Sequence, residues 1–409
     1  MRPRLLSGKA IALGASLVAF QISVACMIAP GSSIGESYFR LCSWDCRWYE
    51  KIAREGYHSV TPPVRQNPEL SNVAFFPAYP YLARLLYLIF GFPVKLGLLI
   101  LAQLFAIAFW ALLYTLLKKW KIPSFIVGLV LLAVWVHPAS FFLISGYSES
   151  LFLASLLLFI LTGAGRSGYS HKLASLSGFA MCATRIVGIP VSGFPVFQEI
   201  AKIVTFRKLP PSKQFRVSLI ISGIASLGTL LFLLYSYLRF GQYDLYMNTQ
   251  RVGWGIVPDY GAVWKWNTFR FRYPMDKLAT QISGFSFLLF ATLELLLAFF
   301  FGPKGTGLRR RLPVFMVAFL IFYVTISGLK SVSFVSMIRY SLPWYILLIL
   351  CAAHLFCGRK SLWADRILFF DSRSFSGTLY ILMVIGLFTL LYFYQLPHFE
   401  DYLNGRWFA

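Results

Sequence analysis

The sequence predicts an all-α, polytopic membrane protein, and three observations carry that prediction. Hydrophobic residues make up 58% of the 409 positions, whereas charged residues make up 13%. Apolar runs long enough to cross a bilayer recur along the chain, separated by short polar segments. The net charge of +23 is divided into clusters that lie between these runs. Runs this close together favour a single transmembrane domain over residues 1–409.

The basic clusters predict the orientation of the chain. They are Arg2, Arg4 and Lys9; Lys118, Lys119 and Lys121; Lys202, Arg207, Lys208, Lys213 and Arg216; Lys304 and Arg309 to Arg311; and Arg359, Lys360 and Arg366. Each cluster separates two apolar runs, which is the pattern of short cytoplasmic loops. We therefore expect these residues to lie near anionic membrane lipids and not to bind nucleic acid.

The first apolar run, Ile11 to Ala29, follows a basic end and lacks a convincing small-residue cleavage site. It is long enough to span a bilayer and predicts a signal anchor with the N-terminus in the cytoplasm. The polar segment 30–75 then becomes the first extracytoplasmic loop, with short interfacial helices.

The later apolar runs are 77–92, 96–117, 122–143, 150–164, 173–201, 217–239, 280–301, 313–329, 338–357 and 375–396. If every basic cluster is cytoplasmic, an even number of crossings separates successive clusters. The run 77–92 contains Pro77, Pro80 and Arg84, so we expect it to be interfacial or re-entrant. The run 173–201 contains Gly188 and Pro190 and predicts either one span or two short broken helices.

The apolar runs then make about nine to eleven membrane crossings. Nearly all unusual polar and aromatic residues fall on the extracytoplasmic side. The outer segments are 30–75, 137–149, 240–279, 330–339 and the tail 398–409. Segment 240–279 is a second large loop, and its many aromatic residues indicate that it lies on the membrane surface.

Six cysteines do not form a disulfide framework, because four of them lie in or beside apolar runs. Cys42 and Cys46 both lie in the first outer segment, where a helical spacing of four makes their side chains neighbours without ensuring disulfide geometry. The sequence shows no metal-ligand spacing, and we expect no obligatory metal.

Asp45 is the candidate catalytic residue. It lies in Ser43–Tyr49, beside Trp44, Trp48 and Tyr49, in a chain with only 15 acidic residues. A carboxylate at a membrane surface can accept a proton from an acceptor hydroxyl while a lipid-borne group leaves, and the aromatic rings can hold a sugar. The alternative is a helix N-cap or a surface partner of Arg47.

The surrounding residues also resemble a known family. The matching residues are Trp44-Asp45-x-x-Trp48-Tyr49, Ile52-Ala53, Gly56-Tyr57, Phe75-Phe76-Pro77-x-Tyr79-Pro80, His137–Phe142 and Ser145–Phe152, with weaker matches at Ala183-Thr184-Arg185, Gly188, Met337–Tyr340 and Pro343. In this order they resemble the PIG-V family, mannosyltransferases that add the second mannose in GPI-anchor assembly, and its bacterial relatives.

The resemblance implies a GT-C type helical bundle that uses a polyprenyl-phosphate sugar as donor, without a further cofactor. It implies action at the periplasmic face of a bacterial inner membrane, or the lumenal face of the endoplasmic reticulum in a eukaryote. Asp45 matches the catalytic carboxylate. Eukaryotic members commonly have His where this chain has Trp48, which favours a cell-envelope glycan or glycolipid over a GPI precursor as acceptor.

The expected substrate-binding residues are Trp44, Trp48, Tyr49, Phe76, Tyr147, Glu149, Arg185, Arg339 and Tyr340. Arg185 and Arg339 are candidates for the lipid phosphate, because an arginine in an apolar run needs an anionic partner. The alternative is a structural pairing with a residue such as Glu149, which itself either orients the acceptor or pairs with an arginine.

Two other functions compete with the enzyme. Broken helices and intramembrane arginines also suit a transporter or flippase of a lipid-linked substrate, although the sequence lacks the internal symmetry expected of one. A membrane thiol peptidase built on Cys182 and Arg185 is a weaker idea, because no histidine partner is evident at that depth.

Overall fold

The computed structural model describes residues 6–29, 31, 33–58, 71–163, 168–206, 211–265, 268, 306–332, 336–354 and 395–406. None of these described residues forms a β-strand. The helices are α1 (Gly8–Ile28), α2 (Ile34–Phe39), α3 (Asp45–Glu55), α4 (Ala78–Phe90), α5 (Val94–Lys119), α6 (Ser124–Trp135), α7 (Glu149–Gly163), α8 (Gly168–Cys182), α9 (Gly188–Ser192), α10 (Phe194–Phe206), α11 (Ser212–Phe240), α12 (Leu245–Trp254), α13 (Thr306–Leu329), α14 (Met337–His354) and α15 (395–403). The all-α prediction is confirmed.

Five of the described helical segments are long and apolar enough to cross a membrane. They are Gly8–Ile28, Val94–Lys119, Lys213–Phe240, Arg310–Val332 and Met337–His354. The 26 residues of α5 extend about 39 Å, which exceeds the roughly 30 Å hydrocarbon core of a bilayer. The chain is therefore a multi-pass membrane protein. The predicted run 280–301, residues 375–394 of the predicted run 375–396, and most of loop segment 266–279 lie outside the described residues.

Helix α4 is too short to cross a bilayer alone. Its 13 residues, Ala78–Phe90, extend about 20 Å. Tyr87, Leu88 and Phe90 on its second half are exposed. This agrees with the interfacial or re-entrant role that we expected for the run 77–92.

The apolar run 173–201 is broken, which is the second of the two alternatives that its glycine and proline residues left open. Helix α8 ends at Cys182, residues 183–187 are not helical, and the short helix α9 and then α10 follow. Pro190 and Pro195 lie in the first turns of α9 and α10, where a helix tolerates a missing N–H. The break leaves residues 183–187 free to enter the site described below.

The predicted outer segments lie together in the fold. A buried cluster joins residues 52–57 and 73–76 to the later part of α11 and the start of α12, and its members are Ile52, Tyr57, Val73, Phe76, Phe232, Leu245 and Tyr246. In α15, Phe399 stacks on Phe141 at 4.7 Å between ring centroids. Gln395 donates a 2.8 Å hydrogen bond to Ser140. Segments distant in sequence therefore form one end of the bundle.

Helices α8 and α11 approach each other closely through Gly228. A Cβ atom added at Gly228 would lie 2.3 Å from the carbonyl oxygen of Phe179 and 2.6 Å from the backbone nitrogen of Ala183. These neighbours are backbone atoms and cannot rotate away. The absence of a side chain at this position therefore permits the helix contact that holds the break beside the site.

We predict that Gly228→Ala destabilises the protein by about 1–3 kcal/mol, because the added methyl group must push α8 and α11 apart. Gly223→Ala on the same helix is the control, since a Cβ atom there meets no other atom within 4 Å. Thermal unfolding of the purified protein in detergent measures both. Equal melting temperatures for the two variants would contradict the packing described here.

Candidate active site

A cavity of about 830 Å³ opens at the end of the bundle where the outer segments meet. Its wall is formed by the start of α3, segment 74–76, the start of α7, the break 184–187, α12 and the start of α14. The predicted site residues that line it are Trp44, Asp45, Trp48, Tyr49, Phe76, Glu149, Arg185, Arg339 and Tyr340. Residues that are up to almost 300 positions apart in the sequence therefore line one cavity.

Asp45 is held in place at the first turn of α3. Its carboxylate oxygen Oδ2 accepts a 2.7 Å hydrogen bond from Nη1 of Arg339, and its backbone N–H donates to the hydroxyl of Tyr147 at 3.2 Å. The Asp45 side chain is 21% exposed, whereas that of Arg339 is 5% exposed. The carboxylate therefore reaches the cavity while its arginine partner stays largely behind it.

Asp45, Glu149, Arg185 and Arg339 form a four-charge cluster. Besides the contact to Asp45, Arg339 Nε lies 3.4 Å from Oε1 of Glu149, and Nη1 of Arg185 lies 2.9 Å from the same oxygen. The cluster joins α3, α7, the 183–187 break and α14. Each arginine is therefore paired with a carboxylate. Such pairing is the structural alternative that the sequence offered beside phosphate binding.

Two tyrosines complete this charged corner. The Tyr340 hydroxyl accepts a 2.9 Å hydrogen bond from Nη2 of Arg339, and the Arg185 guanidinium lies 4.8 Å from the centre of the Tyr340 ring. The Arg339 guanidinium lies 5.3 Å from the Tyr147 ring. Such contacts between cations and aromatic faces stabilise a partly desolvated guanidinium. The two tyrosine rings therefore orient both guanidinium groups without adding a further carboxylate to the corner.

Tyr147 was expected to bind substrate, and the structure places it apart from the other predicted site residues. This side chain is fully buried and does not line the cavity. Its hydroxyl accepts the hydrogen bond from the Asp45 backbone N–H, so Tyr147 supports the catalytic candidate through the backbone. Tyr49 does line the cavity, but it is largely buried, and its hydroxyl bonds Ser148 at 2.9 Å. Burial raises the pKa of the Tyr49 phenol, which keeps it protonated.

The remaining predicted aromatic residues differ in accessibility. Trp44 is 39% exposed, whereas Phe76 is 4% exposed and packs in the buried cluster against Tyr246 at 5.2 Å. Sequence reasoning missed Gln250 and Trp254, which line the cavity from α12. The aromatic richness of segment 240–279 was the signal that could have placed them in the site.

Two further predictions concern cysteine and metal. Cys182 is fully buried and is not among the residues that line the cavity, which disfavours the thiol peptidase. In the part of the chain that the structure describes, no group of three or more His, Cys, Asp or Glu side chains could hold a metal ion.

His137 is buried against Tyr345, with 4.7 Å between ring centroids, and accepts the Ala139 N–H through Nδ1.

A disulfide between Cys42 and Cys46 encloses the Asp45 corner. Trp44, between them, has a backbone φ of 52°, a conformation that a bulky residue rarely adopts. Gly146 lies directly against the bridge, because an added Cβ atom would be 2.3 Å from Sγ of Cys46. The Gly146 N–H also donates to the Leu41 carbonyl at 3.0 Å. The disulfide and the 145–147 junction together fix the path of the backbone into Asp45.

We predict that Gly146→Ala loosens the turn that precedes α3, because the added methyl group and the disulfide cannot occupy the same space. Hydrogen–deuterium exchange of a peptide covering residues 41–55 should become faster. Gly35→Ala is the control, since its Cβ atom would meet nothing closer than 4.0 Å. Unchanged exchange in Gly146→Ala would show that this contact does not position Asp45.

Comparison with known proteins supports the fold. No protein-family model matches the sequence, and no curated protein matches it. A solved structure that is similar is the crystal structure of ArnT from Cupriavidus metallidurans in the apo state, with a TM-score of 0.50 and 13% sequence identity. The match covers 97% of this chain and 75% of the ArnT chain. The chain therefore has a helical membrane fold like that of ArnT, as predicted, while the PIG-V resemblance stays a prediction.

Proposed function

We propose that this chain is a membrane glycosyltransferase that transfers a sugar, mannose by the PIG-V resemblance, from a polyprenyl-phosphate donor to a lipid-linked glycan or glycolipid. The observation that carries the proposal is the Asp45 carboxylate, which reaches a large cavity while buried Arg339 holds it at 2.7 Å. The ArnT-like fold supports a GT-C transferase, the class to which ArnT belongs. A polyprenyl-phosphate sugar serves as the donor substrate, without another cofactor.

In the proposed reaction Asp45 is the general base. The acceptor hydroxyl gives its proton to the carboxylate, and its oxygen attacks the anomeric carbon of the donor sugar. The bond between that carbon and the phosphate oxygen breaks, and the lipid phosphate leaves with the electron pair, so the anomeric configuration inverts. Because Arg339 contacts one carboxylate oxygen, Oδ2, the second oxygen can receive the proton.

The charges that line the cavity suit a donor of this kind. A donor phosphodiester carries one negative charge, and the leaving lipid phosphate carries about two. Two carboxylates balance Arg185 and Arg339, so the four-charge cluster alone is neutral. Arg47, in the first turn of α3, and Lys51, in its second turn, also line the cavity and form no ion pair with a described residue. They supply the surplus positive charge that an anionic donor requires.

The expected membrane side agrees with the chemistry of Cys42 and Cys46. Disulfides persist in oxidising compartments such as the periplasm or the lumen of the endoplasmic reticulum. A bridge beside Asp45 therefore supports an extracytoplasmic site, with the N-terminus of α1 in the cytoplasm. For a bacterial chain this is the periplasmic face of the inner membrane, where lipid-linked acceptors are presented.

A transporter or flippase of a lipid-linked substrate is the alternative function. It predicts that purified protein in liposomes moves the lipid without forming a covalent product. The transferase predicts a new glycoside and release of polyprenyl phosphate. Mass spectrometry of the lipid extract separates the two.

We predict that Asp45→Asn still folds, because Arg339 keeps its ion pair with Glu149. The variant should lower transfer from polyprenyl-phosphate mannose by about 10²- to 10⁴-fold, because the amide cannot accept the acceptor proton. The measurement is formation of radiolabelled product by the purified protein. Glu50→Gln on the same helix is the control, because Glu50 pairs with Arg54 and is not among the cavity-lining residues. Full turnover by Asp45→Asn would overturn the catalytic assignment.

We also predict that the double variant Arg47→Gln, Lys51→Gln raises KM for the donor about tenfold and changes kcat much less. The reason is that these residues attract the phosphate before and during reaction alike. The effect should shrink at high salt, as expected for exposed charges. Arg54→Gln, which removes a cation from another face of α3, is the matched control. An unchanged KM would place the phosphate elsewhere.

A further inference from the structure

Three aromatic side chains form a wall inside the same cavity. Trp48 stacks on Phe75 with ring centroids 5.6 Å apart and planes 19° from parallel. Trp254 meets both rings from the side, with centroids 5.9 Å from each. All three residues line the cavity, and both tryptophans are only partly buried. Tryptophan that faces a cavity in this way offers a large, rigid apolar face to a ligand.

The wall is held rigidly from behind by helix α12. Gln250, one turn before Trp254, donates a 3.2 Å hydrogen bond to the carbonyl of Ala74. Tyr246 on the same helix packs edge-on against Phe76 at 5.2 Å. These two contacts tie α12 to the segment that carries Phe75. The wall is thus formed before any ligand arrives, which lowers the entropy cost of ordering side chains on binding.

The wall also stands beside the proposed base. Trp48 follows Asp45 by three residues on α3, so the two side chains lie on neighbouring turns of one helix face, about 4.5 Å apart along its axis. A ring that rests on Trp48 therefore has its edge near the Asp45 carboxylate. That edge is where a hydroxyl must lie to give up its proton.

We infer that Trp48, Phe75 and Trp254 form the subsite for the acceptor, and that the acceptor presents a pyranose ring to it. A pyranose has a face of C–H bonds, whose slight positive charge suits the electron-rich face of an indole, and an edge of hydroxyl groups. On this wall the C–H face meets the tryptophans and a hydroxyl meets Asp45. Assigning the ring to the acceptor and not the donor rests on the proposed function, in which Asp45 acts on the acceptor.

Trp254 is the specificity-determining residue in this arrangement. It comes from the second outer segment, whereas Asp45, Trp48 and Phe75 come from the first. Removing its indole opens one side of the wall without touching the ion pairs of the charged corner. A change at Trp254 should therefore alter binding of a sugar ring and leave binding of a lipid phosphate intact.

Binding measurements in lipid nanodiscs, without donor or turnover, test the inference. The first probe is methyl α-D-mannopyranoside, followed by saturation-transfer NMR. Its C–H protons should receive saturation from the wild-type protein, and the open-chain polyol sorbitol should receive much less. Trp254→Ala should weaken pyranoside binding about tenfold, and Trp254→Phe should retain part of it. The control is Trp264→Ala, because Trp264 is 73% exposed and is not among the cavity-lining residues.

The second probe is undecaprenyl phosphate, titrated into the same samples. Its affinity should be equal in wild type and Trp254→Ala. Weaker lipid-phosphate binding in Trp254→Ala, or equal pyranoside signals in Trp254→Ala and Trp264→Ala, would overturn the inference. Because neither probe requires catalysis, these outcomes are separate from the Asp45→Asn test. Pyranoside binding can be observed even if the protein proves not to transfer a sugar. Conversely, sugar transfer can be observed even if Trp254→Ala does not change pyranoside binding.

Discussion

The rest of the site depends on the ion pairs that Arg339 makes with Asp45 and Glu149. They connect α14 to α3 and α7 at a depth where Arg339 is only 5% exposed. Removing one partner from a buried pair leaves a charge without compensation and costs about 3–5 kcal/mol. Arg185 completes the set by pairing with Glu149. The cluster therefore holds three helices and one helix break in register around the cavity.

Each half of the cavity has its own support. The disulfide between Cys42 and Cys46, with Gly146 against it, directs the backbone into Asp45 on the charged side. Helix α12 fixes Trp254 on the aromatic side through its contacts with segment 74–76. A charged corner next to a rigid apolar wall suits substrates that combine phosphate, sugar and lipid. Rigid support of both halves is what a transfer reaction requires, because small misplacements of reacting groups cost large factors in rate.

Most of the fold, and the membership of the site, could be predicted from sequence. The apolar runs predicted a helical membrane bundle, because bilayer thickness and backbone hydrogen bonding allow few other solutions. The glycine and proline residues of run 173–201 offered a break as one of two alternatives, and the structure shows the break. Tyr147 was expected among the substrate-binding residues but is buried outside the cavity lining, since the sequence does not show which way an aromatic side chain beside a motif points. Trp254 was missed because its partners Trp48 and Phe75 lie about 180–200 residues away in sequence.

By itself the sequence determined the class of the protein, its helical content and Asp45 as the catalytic candidate. Composition, the length of apolar runs and local motifs carry that information, and each can be read without knowing which distant residues are in contact. Two features follow from tertiary packing: Arg185 and Arg339 pair with Glu149 and Asp45, and Trp254 completes a wall beside Trp48. The physical reason is that the direction of a side chain, and the charge that neutralises it, depend on how distant helices pack against one another.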